Sequence, residues 1–365
     1  GDHYVAGDGR ANENFGLTAI HHVWHENHNW QIDNLINMLS QQTPAVRNSW
    51  QDDTGIVSTS NGNYIDSSGA IAWDQEKMFQ AATLINQAEY QHVAIDQYAR
   101  GLTPNIPLFF QYDAAVNSDV SLDYSQVAFR FGHSQLRETI DTLDPTGSLT
   151  GAVTRYALEQ AFLNPSGFAK TGPTAIAQGM TRQVSNEIDE IVTPALQQNL
   201  LGQATDLAAI NIARGRDLGM PTLNNLRRQL SAGLTAQLKI LNQKLIANPG
   251  DTTLRQTIDK TIALQAGLQA YNSWTDFGNA IQHPEALVNF IAAYSFDGNL
   301  EKADLLIKLS DGSTLFSSLT DVQQALFTKS VAEGGLGISS DLANPGSIAD
   351  AYYSSAAFDF LTGGD

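Results

Sequence analysis

Three groups of residues in this chain have types and spacings that could do chemistry. Four histidines crowd together at His21, His22, His25 and His28. Of these, His21, His25 and His28 follow the i, i+4, i+7 spacing that shares one helix face, and three imidazoles so placed could chelate a zinc ion. With Trp24 and Trp30 beside them they could equally form a packed polar seam, which is the commoner use of such a stripe. Just upstream, Asp8, Arg10 and Glu13 put two carboxylates and a guanidinium at the start of the same helix. The plain reading is a capping network, since carboxylates stabilise helix N-termini by roughly 0.3–1 kcal/mol. The third group is Ala128-Phe129-Arg130-Phe131-Gly132-His133, a lone histidine three residues after an arginine in an apolar stretch. Taken alone, His133 would more often be a satisfied core histidine than a ligand.

The elements that must position these residues read as helices almost throughout. Leu17, Ile20, Trp24, Ile32, Leu35, Ile36 and Leu39 recur at spacings of three, four and their sums, predicting a long helix from Leu17 to about Leu39. A polar loop follows at about Asp52–Gly69, then a helix over Asp74–Arg100, with Gly101 and Pro104 as stop signals. Asp123 is a plausible N-cap for a helix carrying Val127, Phe131 and Leu136. Further helices are expected at about Gly151–Leu163, Ala175–Ile191 and Asp206–Arg214. The leucine-rich stretch Leu223–Tyr271, with a turn at Asn248-Pro249-Gly250-Asp251, reads as a helical hairpin and as the nearest thing to an inserted module. Strand-like alternation is confined to short pieces such as Gly55–Thr59 and Asn63–Ile65. The predicted class is mainly α with a few short β-ribbons. After Glu333 the chain turns rich in Gly, Ser and Ala, with no obvious terminal helix.

Composition narrows the chemistry. The 365 residues are 42% hydrophobic, enough for a substantial core. Acidic residues outnumber basic ones 38 to 20, a formal charge of −18, so nucleic acid and anionic membrane surfaces are excluded as expected partners. No apolar run reaches the roughly 18 residues that suggest a transmembrane helix. With no cysteine there is no disulfide, thiolate metal site or cysteine nucleophile. Any chemistry falls to histidines, carboxylates, arginines, hydroxyls or a cofactor.

Read in order, three blocks resemble the animal-type haem peroxidase superfamily. The first is AGDGRANENFGLTAIHHVWHENHN, Ala6–Asn29, similar to the family block in which an arginine and a glutamate precede a helix reading LTxxH and ending in EHN. The second is AFRFGH, Ala128–His133, similar to the proximal-histidine motif. The third is INIARGRDLGMP, Ile210–Pro221, similar to the proximal asparagine block with its paired arginines.

The resemblance implies a single haem peroxidase-like helical domain over 1–365, partial at both ends, with 223–271 inserted in it. It implies a b-type haem with His133 as the axial iron ligand and Asn211 as acceptor for the other ring nitrogen. A neutral amide raises imidazole basicity less than a carboxylate would. Arg10 matches the distal arginine that stabilises charge on the peroxide oxygen, and Glu13 the carboxylate that forms an ester with a haem methyl. Where several relatives carry a methionine, this chain has Asn14, so no sulfonium link can form. Arg130 and Arg214 match arginines near the haem and its propionates, with ordinary ion pairs as the plain alternative. The family's distal histidine and calcium loop precede the first block and have no match here. A separate chain or segment is expected to carry that histidine, and calcium is expected with it.

The activity so implied is hydrogen peroxide-driven, one- or two-electron oxidation of a small reducing substrate such as a halide, a phenol or Mn(II). Dioxygenase relatives have a tyrosine where Arg130 stands, which disfavours that chemistry. A non-catalytic scaffold module of a larger secreted protein, with or without haem, is the alternative. The acidic, cysteine-free composition fits an exported bacterial protein.

Overall fold

The computed structural model describes residues 3–325 apart from 54–56, 59–62, 110, 111, 113, 115, 144–150, 202, 297, 311–317 and 322. The segment after Glu333 and part of the strand expected at Gly55–Thr59 lie outside the described residues. The chain forms two compact units that alternate along the sequence. The first takes the described residues of Gly1–Pro104, Arg137–Ser185 and Gln198–Ala204, and the second those of Asn105–Leu136, Asn186–Gln197 and Thr205–Asp365.

In the first unit, helix α1 spans Phe15–Ser40, and Asn14 caps it by accepting Leu17 N–H on Oδ1 at 2.9 Å. A side-chain oxygen there satisfies one of the donors that a helix start leaves bare, worth about 1 kcal/mol. Helix α2, Gln75–Gln91, is capped by Asp74, where the expected helix begins, and runs on into a π-helical stretch, His92–Ala99. Leu35 and Leu39 of α1 pack on Met78 and Ala82 of α2, the apolar stripes that the periodicity marks. Beside this apolar contact runs a polar one, in which Glu89 accepts from Asn27 Nδ2 at 2.6 Å and from Gln31 Nε2 at 2.8 Å. The buried amide of Gln31 is thereby satisfied rather than stranded.

A two-stranded ribbon joins β1, Val57–Ser58, to β2, Tyr64–Ile65. A second antiparallel ribbon joins β3, Thr139–Leu143, to β4, Val153–Ala157, with Ile140 opposite Tyr156. This corrects the helix expected over Gly151–Leu163. Val153 and Thr154 are stiff at χ1 and suit a pleated surface, and only Leu158–Ala161 is helical. Helix α3, Pro173–Arg182, stops well short of the predicted Ile191. It lies so close to β3 that a Cβ on Gly179 would stand 2.0 Å from the carbonyl oxygen of Asp141. Gln183 completes the contact, accepting Asp141 N–H at 3.1 Å and donating to the Thr139 carbonyl at 2.6 Å. Phe15, almost fully buried, meets Tyr156 and Phe168 edge-on at 5.4 and 6.4 Å.

The second unit holds α4, Leu207–Asp217, capped by Asp206, and the helical hairpin of α5, Leu223–Ala247, and α6, Thr252–Gly267. The hairpin closes over Leu241, Leu254 and Ile258, and Asp251 caps α6 by accepting Leu254 N–H at 2.8 Å. Its open end is tied by the fully buried Asn224, whose amide accepts from Tyr271 N and donates to Tyr271 O at 2.8 and 2.9 Å. The main core surrounds Trp274, Ile291 and Leu306, which join α7, Leu287–Ser295, to α8, Leu300–Ser310. Among the described residues no helix is long and apolar enough to cross a membrane.

The close approach at Gly179 carries a prediction. The obstructing atoms are strand backbone, so Gly179→Ala must push α3 off β3, and overpacking of this kind costs about 1–3 kcal/mol or more. Urea denaturation should show a lower midpoint with an unchanged slope; an unmoved midpoint would contradict the packing described.

Candidate functional site

In the second unit a short helix, Leu122–Gln126, is capped by Ser121, not by the predicted Asp123. It ends at Val127, whose backbone (φ −127°, ψ −72°) leaves the helical region. The next six residues, Ala128–His133, form a 3-10 helix, which corrects the continuous helix expected through Phe131 and Leu136. The tighter winding has a chemical result. With three residues per turn, side chains at i and i+3 eclipse, so Arg130 and His133 project to the same side.

Both reach Asn211 on α4. Asn211 Nδ2 lies 2.9 Å from His133 Nδ1, and Asn211 Oδ1 accepts from Arg130 Nη1 at 2.8 Å. Gln126 holds the guanidinium from behind, its carbonyl accepting from Nε at 2.9 Å and its side-chain Oε1 from Nη2 at 3.2 Å. The sequence carries no signal that would have marked Gln126. The 3-10 turn approaches α4 where Gly215 leaves room: Val127 Cγ2 would lie 3.8 Å from a Cβ there.

The sequence reading has Asn211 accept from the imidazole, and the direction here is reversed. A guanidinium only donates, so the amide turns its oxygen to Arg130 and its nitrogen to the ring. Nδ1 then accepts, which leaves the ring proton on Nε2. The imidazole is half-buried, and burial first, then the charge of Arg130, lowers its pKa below the usual value, so it is neutral at pH 7. Among the described residues Nε2 has no hydrogen-bond partner, and it is the ring atom left for a ligand. Arg214 stands one turn along α4 from Asn211 and is exposed.

The other predicted residues belong to the first unit. Asp8 caps a 3-10 turn, Gly9–Asn12, by accepting Arg10 N–H at 2.8 Å. Its carboxylate also grips the guanidinium, Oδ2 accepting from Nη2 at 2.6 Å and Oδ1 from Nε at 3.0 Å. The hydrogen bonds from Arg10 hold the Asp8 carboxyl well below the usual carboxylate range, and Arg10 is raised in turn. The Arg10 side chain is nonetheless 75% exposed. Glu13 follows directly, its backbone carbonyl accepting Leu163 N–H at 3.0 Å and its side chain half-exposed.

Of the histidine stripe, His28 sits in a seam between helices, and His25 is exposed. His28 lies over Phe79 of α2 with ring centroids 4.8 Å apart and Nε2 3.2 Å from the Phe79 carbonyl, and Trp24 meets Tyr90 edge-on at 5.2 Å. Among the described residues His21, His25 and His28 do not converge on one point; the residues that do are Glu187, Asp189 and His283. No spacing pattern could have found that trio, because His283 lies 94 residues from Asp189.

Known proteins resemble this chain over much of its length. The family model described as animal haem peroxidase matches residues 1–259. Peroxinectin A of Dictyostelium discoideum is 27% identical over 231 residues, covering 62% of this chain and 37% of its own length. Human thyroid peroxidase is 27% identical over 237 residues, covering 61% of this chain and 22% of its own. A solved structure, peroxidase A from Dictyostelium discoideum, aligns at 26% identity and a TM-score of 0.49 over 62% of this chain and 38% of its own. The chain thus spans less than two fifths of the length of these relatives. The match of the family model to most of its residues identifies the chain as a member of the animal haem peroxidase family.

Proposed function

We propose that this chain is the haem-holding part of a peroxidase, with His133 as the axial ligand of the iron. The observation that carries the reading is the state of His133: a neutral, half-buried imidazole, anchored at Nδ1 by Asn211 and open at Nε2. That donor set suits a haem iron, which takes a neutral imidazole nitrogen whose ring is held by an outer partner. When bound, the haem would supply the two-electron reduction of hydrogen peroxide, its electrons being replaced by a small reducing substrate.

The chain's own residues prepare that chemistry. Ligation through Nε2 requires the tautomer with its proton on Nδ1, so Asn211 turns its Oδ1 toward the ring and accepts that proton's hydrogen bond. Arg130, still held by Gln126, would then turn Nη1 to another acceptor such as a haem propionate, and Arg214, one turn on from Asn211, would offer a second guanidinium to such a carboxylate. By the family resemblance, the half-exposed carboxylate of Glu13 would form an ester with a haem methyl. Arg10 supplies a fixed positive charge for the peroxide oxygens, oriented by Asp8. Halides, phenols and Mn(II) are the substrate classes, and an extracellular setting suits the acidic, cysteine-free chain. One observation favours a non-catalytic haem scaffold instead: Arg10 already directs Nε and Nη2 to Asp8. A bound haem with no peroxide-dependent oxidation in the full-length protein would mark that second reading.

Titration of the chain with haemin, followed in the Soret region, should give a saturable band that is lost in His133→Ala and kept in His28→Ala. If the two variants behave alike, His133 is not the ligand. Acid–acetone extraction should leave haem on the wild-type chain and remove it from Glu13→Gln. Free extraction from the wild type would remove the ester from the account.

A further inference from the structure

In the second unit two segments distant in sequence are stitched together around an imidazole, beside the residues that follow His133, where Asp189 N–H meets Ser134 Oγ at 3.4 Å. Glu190 accepts Gln282 N–H at 2.7 Å and His283 N–H at 3.2 Å, which seats His283 against the stretch 187–191. There His283 Nε2 stands 3.1 Å from Asp189 Oδ2, and one ligand atom each from Glu187, Asp189 and His283 falls within 4.8 Å of the other two. In a tetrahedral zinc site with bonds near 2.1 Å, neighbouring ligand atoms lie about 3.4 Å apart, so the imidazole and Asp189 already have ligand spacing. Their outer atoms are held by groups outside the trio. Glu285 Oε1 lies 3.2 Å from His283 Nδ1, and Asp189 Oδ1 accepts Ile191 N–H at 2.9 Å. A carboxylate behind a histidine is the usual outer support of a metal-bound imidazole.

Charge points the same way. Glu187, Asp189, Glu190 and Glu285 gather here, and among the described residues no lysine or arginine pairs with any of them; His283 is the one ion-pair partner of Asp189 and Glu285. The Asp189 side chain is only 9% exposed, while Glu187 is exposed, leaving an open side for an ion to enter.

We propose that Glu187, Asp189 and His283 form a binding site for a divalent transition-metal cation, zinc in the first place. The nitrogen ligand selects against calcium and magnesium, which take oxygen ligands, and divalent zinc stands near the top of the affinity order for mixed nitrogen and oxygen sites. Three protein ligands leave a fourth position for water. His283 gives up any proton on Nε2 as the metal–nitrogen bond forms, so binding releases up to one proton.

Isothermal titration of zinc chloride into the full chain tests this, with the wild type compared with Glu187→Gln, Asp189→Asn, Glu285→Gln and His25→Gln. One zinc per chain is expected, with affinity at least tenfold weaker in Glu187→Gln and Asp189→Asn. The outer variant Glu285→Gln should lose about 10–100-fold. Binding to His25→Gln should be unchanged, and calcium should not compete. Glu187 is exposed and has no hydrogen-bond partner among the described residues, so its variant keeps the test intact if Asp189→Asn fails to fold. No saturable binding, or binding that Glu187→Gln leaves unchanged, would make the trio an ion pair alone; loss in His25→Gln would move the metal to the histidine stripe.

Discussion

The carboxamide of Asn211 serves two neighbours with opposite needs, and the arrangement around His133 depends on how it divides itself. Its oxygen faces a guanidinium that only donates, and its nitrogen faces an imidazole nitrogen that either donates or accepts. While Arg130 holds the oxygen, the ring proton is confined to Nε2. Anything that draws Arg130 away frees the amide to turn and moves the proton to Nδ1, leaving a bare lone pair on Nε2. The ligand-ready state of the imidazole is thus coupled to an anion for Arg130. In the proposed function one ligand supplies both, since haem carries its propionates together with its iron.

This bridge exists because of the backbone beneath it. A continuous α-helix through Ala128–His133 would set Arg130 and His133 about 60° apart around the axis, whereas the 3-10 winding stacks them. Val127 ends the preceding helix and packs where Gly215 leaves space on α4, so the two segments come near enough for one amide to span them. Gln126 then fixes the guanidinium. Asn14 shows the same economy in the first unit. Its side-chain oxygen caps α1 by accepting Leu17 N–H.

Much of this was legible in the sequence, and the failures have physical causes. The apolar stripes of α1 and α2, the helix starts near Asp74 and Asp206, and the turn of the hairpin α5–α6 stood out because they are local signals. The three blocks around Arg10, His133 and Asn211 marked the family. Periodicity could not foresee that Val153–Ala157 would pair with Thr139–Leu143, since pairing is a tertiary choice that overrides weak helical preference. Nor could it see that Ala128–His133 would tighten into a 3-10 helix. The direction of the Asn211 hydrogen bond was illegible because it depends on Arg130, 81 residues away. The cluster at His283 was invisible for a similar reason.

The central claim is that His133 is an iron ligand whose basicity is set through Asn211. Resonance Raman spectroscopy of the reduced, haem-loaded chain tests it most directly, through the iron–imidazole stretching band. The wild type should show that band, and Asn211→Asp should shift it to higher frequency, because a carboxylate draws the Nδ1 proton and strengthens the iron–nitrogen bond. A band that is absent, or one that Asn211→Asp leaves unmoved, would contradict it.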